Sequence, residues 1–243
     1  DEEAIPANMP EREVANRFEQ RDLISAPVVD EHNILLGRIT IDDVVDVIRD
    51  DAEHSLMSMA GLNEEVDLFS PVLTSTRRRA VWLGINLITA LMAAWVIGLF
   101  EGTIQKFVAL AVLMPIVASM GGIAGSQTLT LVIRGIALGQ ISGSNARRLL
   151  SKEIWVSIWN GLIWAVVLAV IADLWFDDYR LGLIIAAAII INLLVAAIAG
   201  ASIPLLLRRL GADPALGGGV VLTTVTDVVG FFAFLGLATI FLM

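Results

Sequence analysis

The chain has 243 residues, 57% of them hydrophobic, and a formal net charge of −9. So apolar a composition excludes an ordinary soluble domain of this length. Stretches such as 181–207 reach the roughly 20 apolar residues that a helix needs to cross a bilayer, so a polytopic membrane protein is expected. There is no cysteine, which excludes a disulfide framework and a thiolate metal site.

The charge is unevenly divided. Residues 1–70 hold eighteen Asp/Glu against five Arg, a net of −13, and the remainder holds seven acids against eleven Lys/Arg, a net of +4. An acidic head joined to a membrane part with basic loops argues against nucleic acid as a partner and for a cation. The opening DEEAIPANMPERE lacks the pattern of a signal peptide. Without an initiating Met, the sequence reads as a piece cut from a longer protein.

Residues 1–51 read as a small α/β unit. PEREVANRFEQRDL places Val14 and Phe18 on one face of a short amphipathic helix. SAPVVDE and LLGRITI follow as two strands with EHN as their turn. After Thr40, IDDVVDVIRD carries Ile41, Val44, Val45 and Ile48 at helical spacing. This order, with its PVVD…LLGRIT core, resembles a CBS (cystathionine-β-synthase) module lacking its first strand. Residues 52–76, with Glu53, Glu64, Glu65 and Asp67, read as an acidic connecting helix. His32 and His54 are expected to be ordinary surface residues.

Hydropathy over 77–243 predicts five spans, at about 80–100, 104–137, 154–175, 181–207 and 215–242. The second is too long for one straight crossing and is expected to be interrupted by Pro115, Gly121, Gly122 and Gly125. On one side of the membrane fall Arg77, Arg78, Arg79, Arg134, Arg147, Arg148, Lys152, Arg208 and Arg209; on the other only Lys106 and Arg180. The positive-inside rule then puts the N-terminal part in the cytoplasm and the C-terminus outside.

Within LTTVTDVVGFF, Asp227 is a carboxylate in an otherwise apolar span. Twelve residues from Ala215 at about 1.5 Å each put it roughly 18 Å deep, near the midplane. Placing a carboxylate there costs at least roughly 2.5–3.5 kcal/mol on insertion scales, so it cannot face lipid cheaply. One reading is a protonated Asp bonded to a neighbouring helix; the favoured one is an acid lining a hydrophilic path. Span two supplies the complementary signal in PIVASMGGIAGSQTLTLVIRG, where Gly121, Gly122, Gly125, Ser126 and Gln127 are candidate pore-lining residues, with Thr224 from span five. Broken helices at bilayer depth are tolerated where they line a cavity. Gly121…Gly125 spacing also permits plain close helix packing.

A divalent cation is poorly neutralised by one Asp, but a two-fold dimer brings two copies to the axis. Mg²⁺ keeps its waters and is often held through them by few carboxylates, so a sparse site suits it better than dehydrated Ca²⁺. An intramembrane protease would need a second carboxylate at the depth of Asp227, which neither Asp173 nor Asp213 supplies. Neither an HExxH helix nor a G-x-S-x-G elbow occurs. No catalytic residue is expected, and the chain is read as no enzyme.

PIVASMGGIAGSQTLTLVIRGIALG and LRRLGADPALGGGVVLTTVTDVVGFF, with the partial CBS module, acidic helix and five spans, resemble the MgtE family of Mg²⁺ channels. The likeness extends over essentially the whole chain. It implies a mainly α membrane protein: a five-helix transmembrane bundle preceded by a truncated α/β CBS module and an acidic connecting helix. It further implies a multi-pass homodimer in the lipid of the cell (inner) membrane, its pore built by spans two and five, with hydrated Mg²⁺ recognised at Asp227. The family's site also uses positions matching Thr223 and Gly219, of which Gly219 can offer only backbone. Ile123 stands where the family's GGNxGxQ pattern has Asn. The family carries a further N-terminal domain and a first CBS module, both missing here. In the family, cytosolic Mg²⁺ bound among acids favours closure, and the candidates here are Asp42, Asp43, Asp46, Asp50, Asp51, Glu53, Glu64, Glu65 and Asp67. The alternative is a proton-coupled divalent cation carrier (Mg²⁺/Co²⁺) with Asp227 as its exchange site.

Overall fold

The computed structural model describes residues 4–59, 61–62, 69–141 and 145–243. The chain divides into two units, 1–68 and 69–243. Glu64, Glu65 and Asp67 lie outside the described residues.

The first unit has the order β1 (Ile5–Pro6), α1 (Glu11–Arg21), β2 (Ser25–Val29), β3 (Leu35–Thr40) and α2 (Ile41–Met59). The two expected strands pair antiparallel, Ser25 opposite Thr40 and Val28 opposite Gly37. Their turn is closed by Asp30, whose Oδ1 accepts from the backbone N–H groups of His32 and Ile34 at 2.9 and 2.8 Å, with Asn33 at φ 61°. One expectation needs correction. The unit does have a first strand: Ile5 and Pro6 lie parallel to Val28 and Val29. Two residues carry too little periodicity to be seen in sequence, yet Ile5 is fully packed against Val14, Phe18, Ala26 and Val44. Of the apolar positions expected on one face of α2, Val44 is buried, while Ile41, Val45 and Ile48 stay exposed. Helix α2 runs through residue 51 without a break.

The second unit holds α3 (Val72–Gly98), α4 (Glu101–Lys106), α5 (Ala109–Ala137), α6 (Ala146–Phe176), α7 (Tyr179–Arg209) and α8 (Pro214–Leu242). All but α4 are long and apolar enough to cross a membrane. Local chemistry sets the ends. Asp178 accepts from the Arg180 N–H at 2.9 Å and Asp213 from the Ala215 N–H at 2.9 Å, the side-chain caps that helix starts require; Pro214 occupies the first position of α8, where its missing N–H costs nothing. Asp177 ends α6 at φ 53°, so two adjacent aspartates turn one span into the next.

Span two differs from its sequence reading. Its break falls at Phe107–Val108, between α4 and α5, and α5 then runs unbroken through Pro115 and all three glycines. Pro115 lies in the second turn of α5, where it removes one carbonyl's partner without ending the helix.

Helix α7 is the core of the bundle, packing on α5, α6 and α8, while α3 lies against α8. It is rich in Ala and Gly on its buried faces, which lets neighbouring backbones come close where lipid offers no hydrophobic drive. A Cβ on Gly182 would sit 2.6 Å from the carbonyl oxygen of Ala169 in α6, and one on Gly200 would sit 2.7 Å from that of Gly125 in α5. Leu110, Leu113, Val117, Ile185, Ile189, Phe234 and Leu235 fill the space between α5, α7 and α8. Gly200→Val is expected to cost about 1–3 kcal/mol, since backbone cannot step aside. Gly84→Val, with open space around its Cβ position, is expected to leave thermal unfolding in detergent unchanged.

Candidate functional site

Helices α5 and α8 pack side by side, and along their seam runs an open groove of about 930 Å³. Ala118, Ser119, Gly122, Ile123, Ser126, Gln127, Thr130 and Leu131 line it from α5, and Thr223 and Asp227 from α8. From Ala118 to Leu131 is thirteen residues, roughly 20 Å of helix, so the groove follows about two thirds of the hydrocarbon thickness. Asp227, half-buried, is the one carboxylate in its wall. Three hydroxyls, the Gln127 amide and the Thr223 hydroxyl share that wall with it.

The glycines of α5 divide between two tasks. Gly122 faces open space in the groove. Gly121 and Gly125 are buried on the opposite side: a Cβ on Gly121 would collide with the side chain of Asn192, and one on Gly125 would lie 2.8 Å from Leu222. On α8, Thr223 lies one turn before Asp227 and bonds back to the carbonyls of Gly219 and Val220, both at 3.1 Å. Its oxygen keeps lone pairs for an incoming donor. Gly219, a further turn away, has open space where a Cβ would stand, and its carbonyl already accepts from Thr223. Thr224 bonds to the Val220 carbonyl at 2.7 Å and is not among the groove's lining residues. Thus Gly122, Ser126, Gln127, Thr223 and Asp227 are brought together, while Gly121, Gly125, Gly219 and Thr224 stand outside the lining.

Two buried polar side chains behind the groove escaped the sequence reading. Asn192 of α7 is fully buried, wedged between Gly121 of α5 and Gly230 of α8. Its Nδ2 donates to the Val117 carbonyl at 2.8 Å, and its Oδ1 has no partner among the described residues. The signal was a lone amide in IIINLLVAAIAG. Glu153 of α6 is also buried, and its Oε2 accepts from the Thr128 hydroxyl at 3.1 Å. Hydropathy starts the span one residue later because Arg147, Arg148 and Lys152 precede it.

The described candidate regulatory acids lie along α2. Asp43 accepts from both the backbone N–H and the hydroxyl of Thr40 at 3.0 Å, which closes the start of the helix. Asp46 and Asp50 flank Arg49 at 3.8 and 3.7 Å, and Asp51 pairs with Arg12 of α1. Asp42 and Glu53 are exposed. Among the described residues no group of three or more His, Cys, Asp or Glu gathers to hold a metal ion, so Asp227 stands alone in its unit's groove.

The sequence profile of MgtE, described as a divalent cation transporter, matches residues 114–237, and that of the CBS domain matches residues 2–50. The chain belongs to the MgtE family. It is 32% identical over 96% of its length to the magnesium transporter MgtE of Bacillus subtilis. The identity is 29% to the magnesium transporter MgtE of Enterococcus faecalis and 30% to that of Thermus thermophilus, again over 96% of the chain. The chain spans about half the length of these curated relatives, 51 to 52%. The names are those of transporters, in keeping with the expectation of transport over catalysis.

The buried amide of Asn192 gives a direct test of the packing behind Asp227. Asn192→Leu removes the unpartnered oxygen with the donor and is expected to change stability by no more than about 1 kcal/mol. Asn192→Asp turns acceptors toward the Val117 carbonyl and is expected to cost about 1–3 kcal/mol or more. Thermal unfolding of the two variants in detergent checks the order.

Proposed function

We propose that this chain conducts Mg²⁺ across the cell membrane as a homodimer, through a pore lined by α5 and α8, and that cytosolic Mg²⁺ closes it. The observation that carries the reading is the groove of α5 and α8, with one carboxylate and a row of hydroxyl and amide groups along it. Ser126, Gln127 and Thr130 are exposed at bilayer depth in a single chain, where contact with hydrocarbon is costly. A second copy facing the first closes the groove, removes those groups from lipid and sets two Asp227 carboxylates against one divalent charge.

The dimensions suit an ion that keeps its water. Six waters at about 30 Å³ each make a hydrated Mg²⁺ of roughly 200 Å³, well within about 930 Å³ per chain. The relatives' name, magnesium transporter, supports the choice of ion. Asp227 then meets the hydrated ion through its inner-shell waters, and Thr223 and Gln127 accept from or donate to the same shell. The basic loop ends support a cytoplasmic first unit and an outer C-terminus. The exposed acids of α2 are the described part of the regulatory site.

Purified protein in liposomes tests the path. Asp227→Ala and Asp227→Asn are expected to lose Mg²⁺ influx, or its selectivity over other cations, by at least about tenfold while unfolding at the native temperature. Native flux in both variants would place the pore elsewhere. Flux that follows an imposed pH gradient in the unaltered protein would replace conduction with proton-coupled exchange.

Closure rests on charge. Carboxylates on α2 repel one another, and a divalent ion that bridges acids favours the state that brings them together. With Asp42, Asp46 and Glu53 changed to Asn, Asn and Gln, inhibition by Mg²⁺ on the cytoplasmic side is expected to shift to at least about threefold higher concentration. An unshifted inhibition curve would remove α2 from the regulatory site.

A further inference from the structure

Glu153 is a carboxylate buried inside the transmembrane unit that the proposed path leaves unused. Its side chain is 6% exposed. One oxygen accepts from the Thr128 hydroxyl at 3.1 Å and the other lies 3.6 Å from the Lys152 ammonium. A carboxylate shielded this far from water needs partners that hold it. What it holds in return is α5. Helices α5 and α6 otherwise barely touch, so this bond is a principal direct link between them.

Thr128 sits on the back of α5, buried, at the point where Gly200 lets α7 approach: a Cβ on Gly200 would lie 3.0 Å from the Thr128 Cβ. Gln127 precedes it and Thr130 and Leu131 follow, all three in the groove wall. Successive residues of a helix are about 100° apart, so a helix held at Thr128 presents Gln127 and Thr130 to the groove at a fixed angle. Asn192 holds the same helix further back, at the Val117 carbonyl, and the Glu153 bond adds a second hold beside the polar residues of the groove.

We infer that Glu153 is a positioning residue, whose charge-assisted bond to Thr128 sets the rotation of α5 and so the placement of Gln127 and Thr130 opposite Asp227. The inference rests on the reading of the groove as the Mg²⁺ path.

The test is Mg²⁺ influx into liposomes with E153A, T128V, the double variant, E153Q, T128S and D227N, read as KM and Vmax per folded protein. E153A and T128V are each expected to raise KM about tenfold, the worth of one hydrogen bond to a charged group, with Vmax within about twofold of native. The double variant is expected to be no worse than either single one, since both delete the same bond. E153Q and T128S keep an acceptor and a donor and are expected to stay within about threefold of the native KM. Should E153A fail to fold, T128V alone decides by its KM. Native KM in T128V, multiplying effects in the double variant, or E153Q behaving as E153A would each overturn the inference. If D227N conducts as the native protein does, the groove reading falls and takes this inference with it. If D227N loses flux while T128V keeps the native KM, only the inference falls.

Discussion

A carboxylate at bilayer depth must be kept off hydrocarbon, and the transmembrane unit is arranged around that demand for Asp227. The residue is half-buried at the seam of two helices that also bring hydroxyls and an amide to the same groove. Behind the seam, α7 packs against both of those helices. Helix α7 fills the space between α5 and α8 with Ala, Gly and Ile, and the close backbone contacts at Gly125 and Gly200 leave no room for a side chain. Asn192 reaches from α7 into the notch made by Gly121 and Gly230 and bonds the Val117 carbonyl. Small residues on one face thus leave the polar face of the same helices open to the groove.

Polarity in this bundle occurs in two distinct settings. Facing the groove, Ser126, Gln127 and Thr223 share a wall with Asp227. Buried behind it, Asn192 and Glu153 are joined to α5 by single hydrogen bonds. In low dielectric such bonds are strong and their loss leaves a partner stranded, so the buried pair ties α5 to α7 and α6 while the other set faces the groove. Both buried side chains bond α5, at Val117 and Thr128, the helix that also brings Ser126 and Gln127 to the groove.

The first unit follows a different logic. Its small core of Ile5, Val14, Phe18, Ala26 and Val44 orders a helix whose solvent side is acidic. The apolar side chains of Ile41, Val45 and Ile48 remain exposed on that helix, and the charged groups beside them pair mostly with neighbours of the same unit: Asp51 with Arg12, and Asp46 and Asp50 with Arg49. Those arginines temper the repulsion between the acids, and an ion that binds there must compete with them.

Much of this was legible in the sequence. Runs of apolar residues determined five spans, because length and hydropathy are properties of each segment alone. The isolation of Asp227 in span five drew attention to the groove it lines for the same reason, and the EHN turn between two apolar runs marked β2 and β3. What only the tertiary structure decided is which face of each helix meets which neighbour. Gly121, Gly122 and Gly125 look alike in GGIAG, yet one opens to the groove and two are consumed by packing, since 100° per residue separates faces only when a partner defines them. Glu153 fell just outside the span that hydropathy drew, and burial against Thr128 made it part of the bundle. The two-residue strand β1 exists only because Val28 and Val29 are there to pair with it. Hydropathy is local and contact is not: composition determined what crosses the membrane, and packing decided which of those residues face the groove.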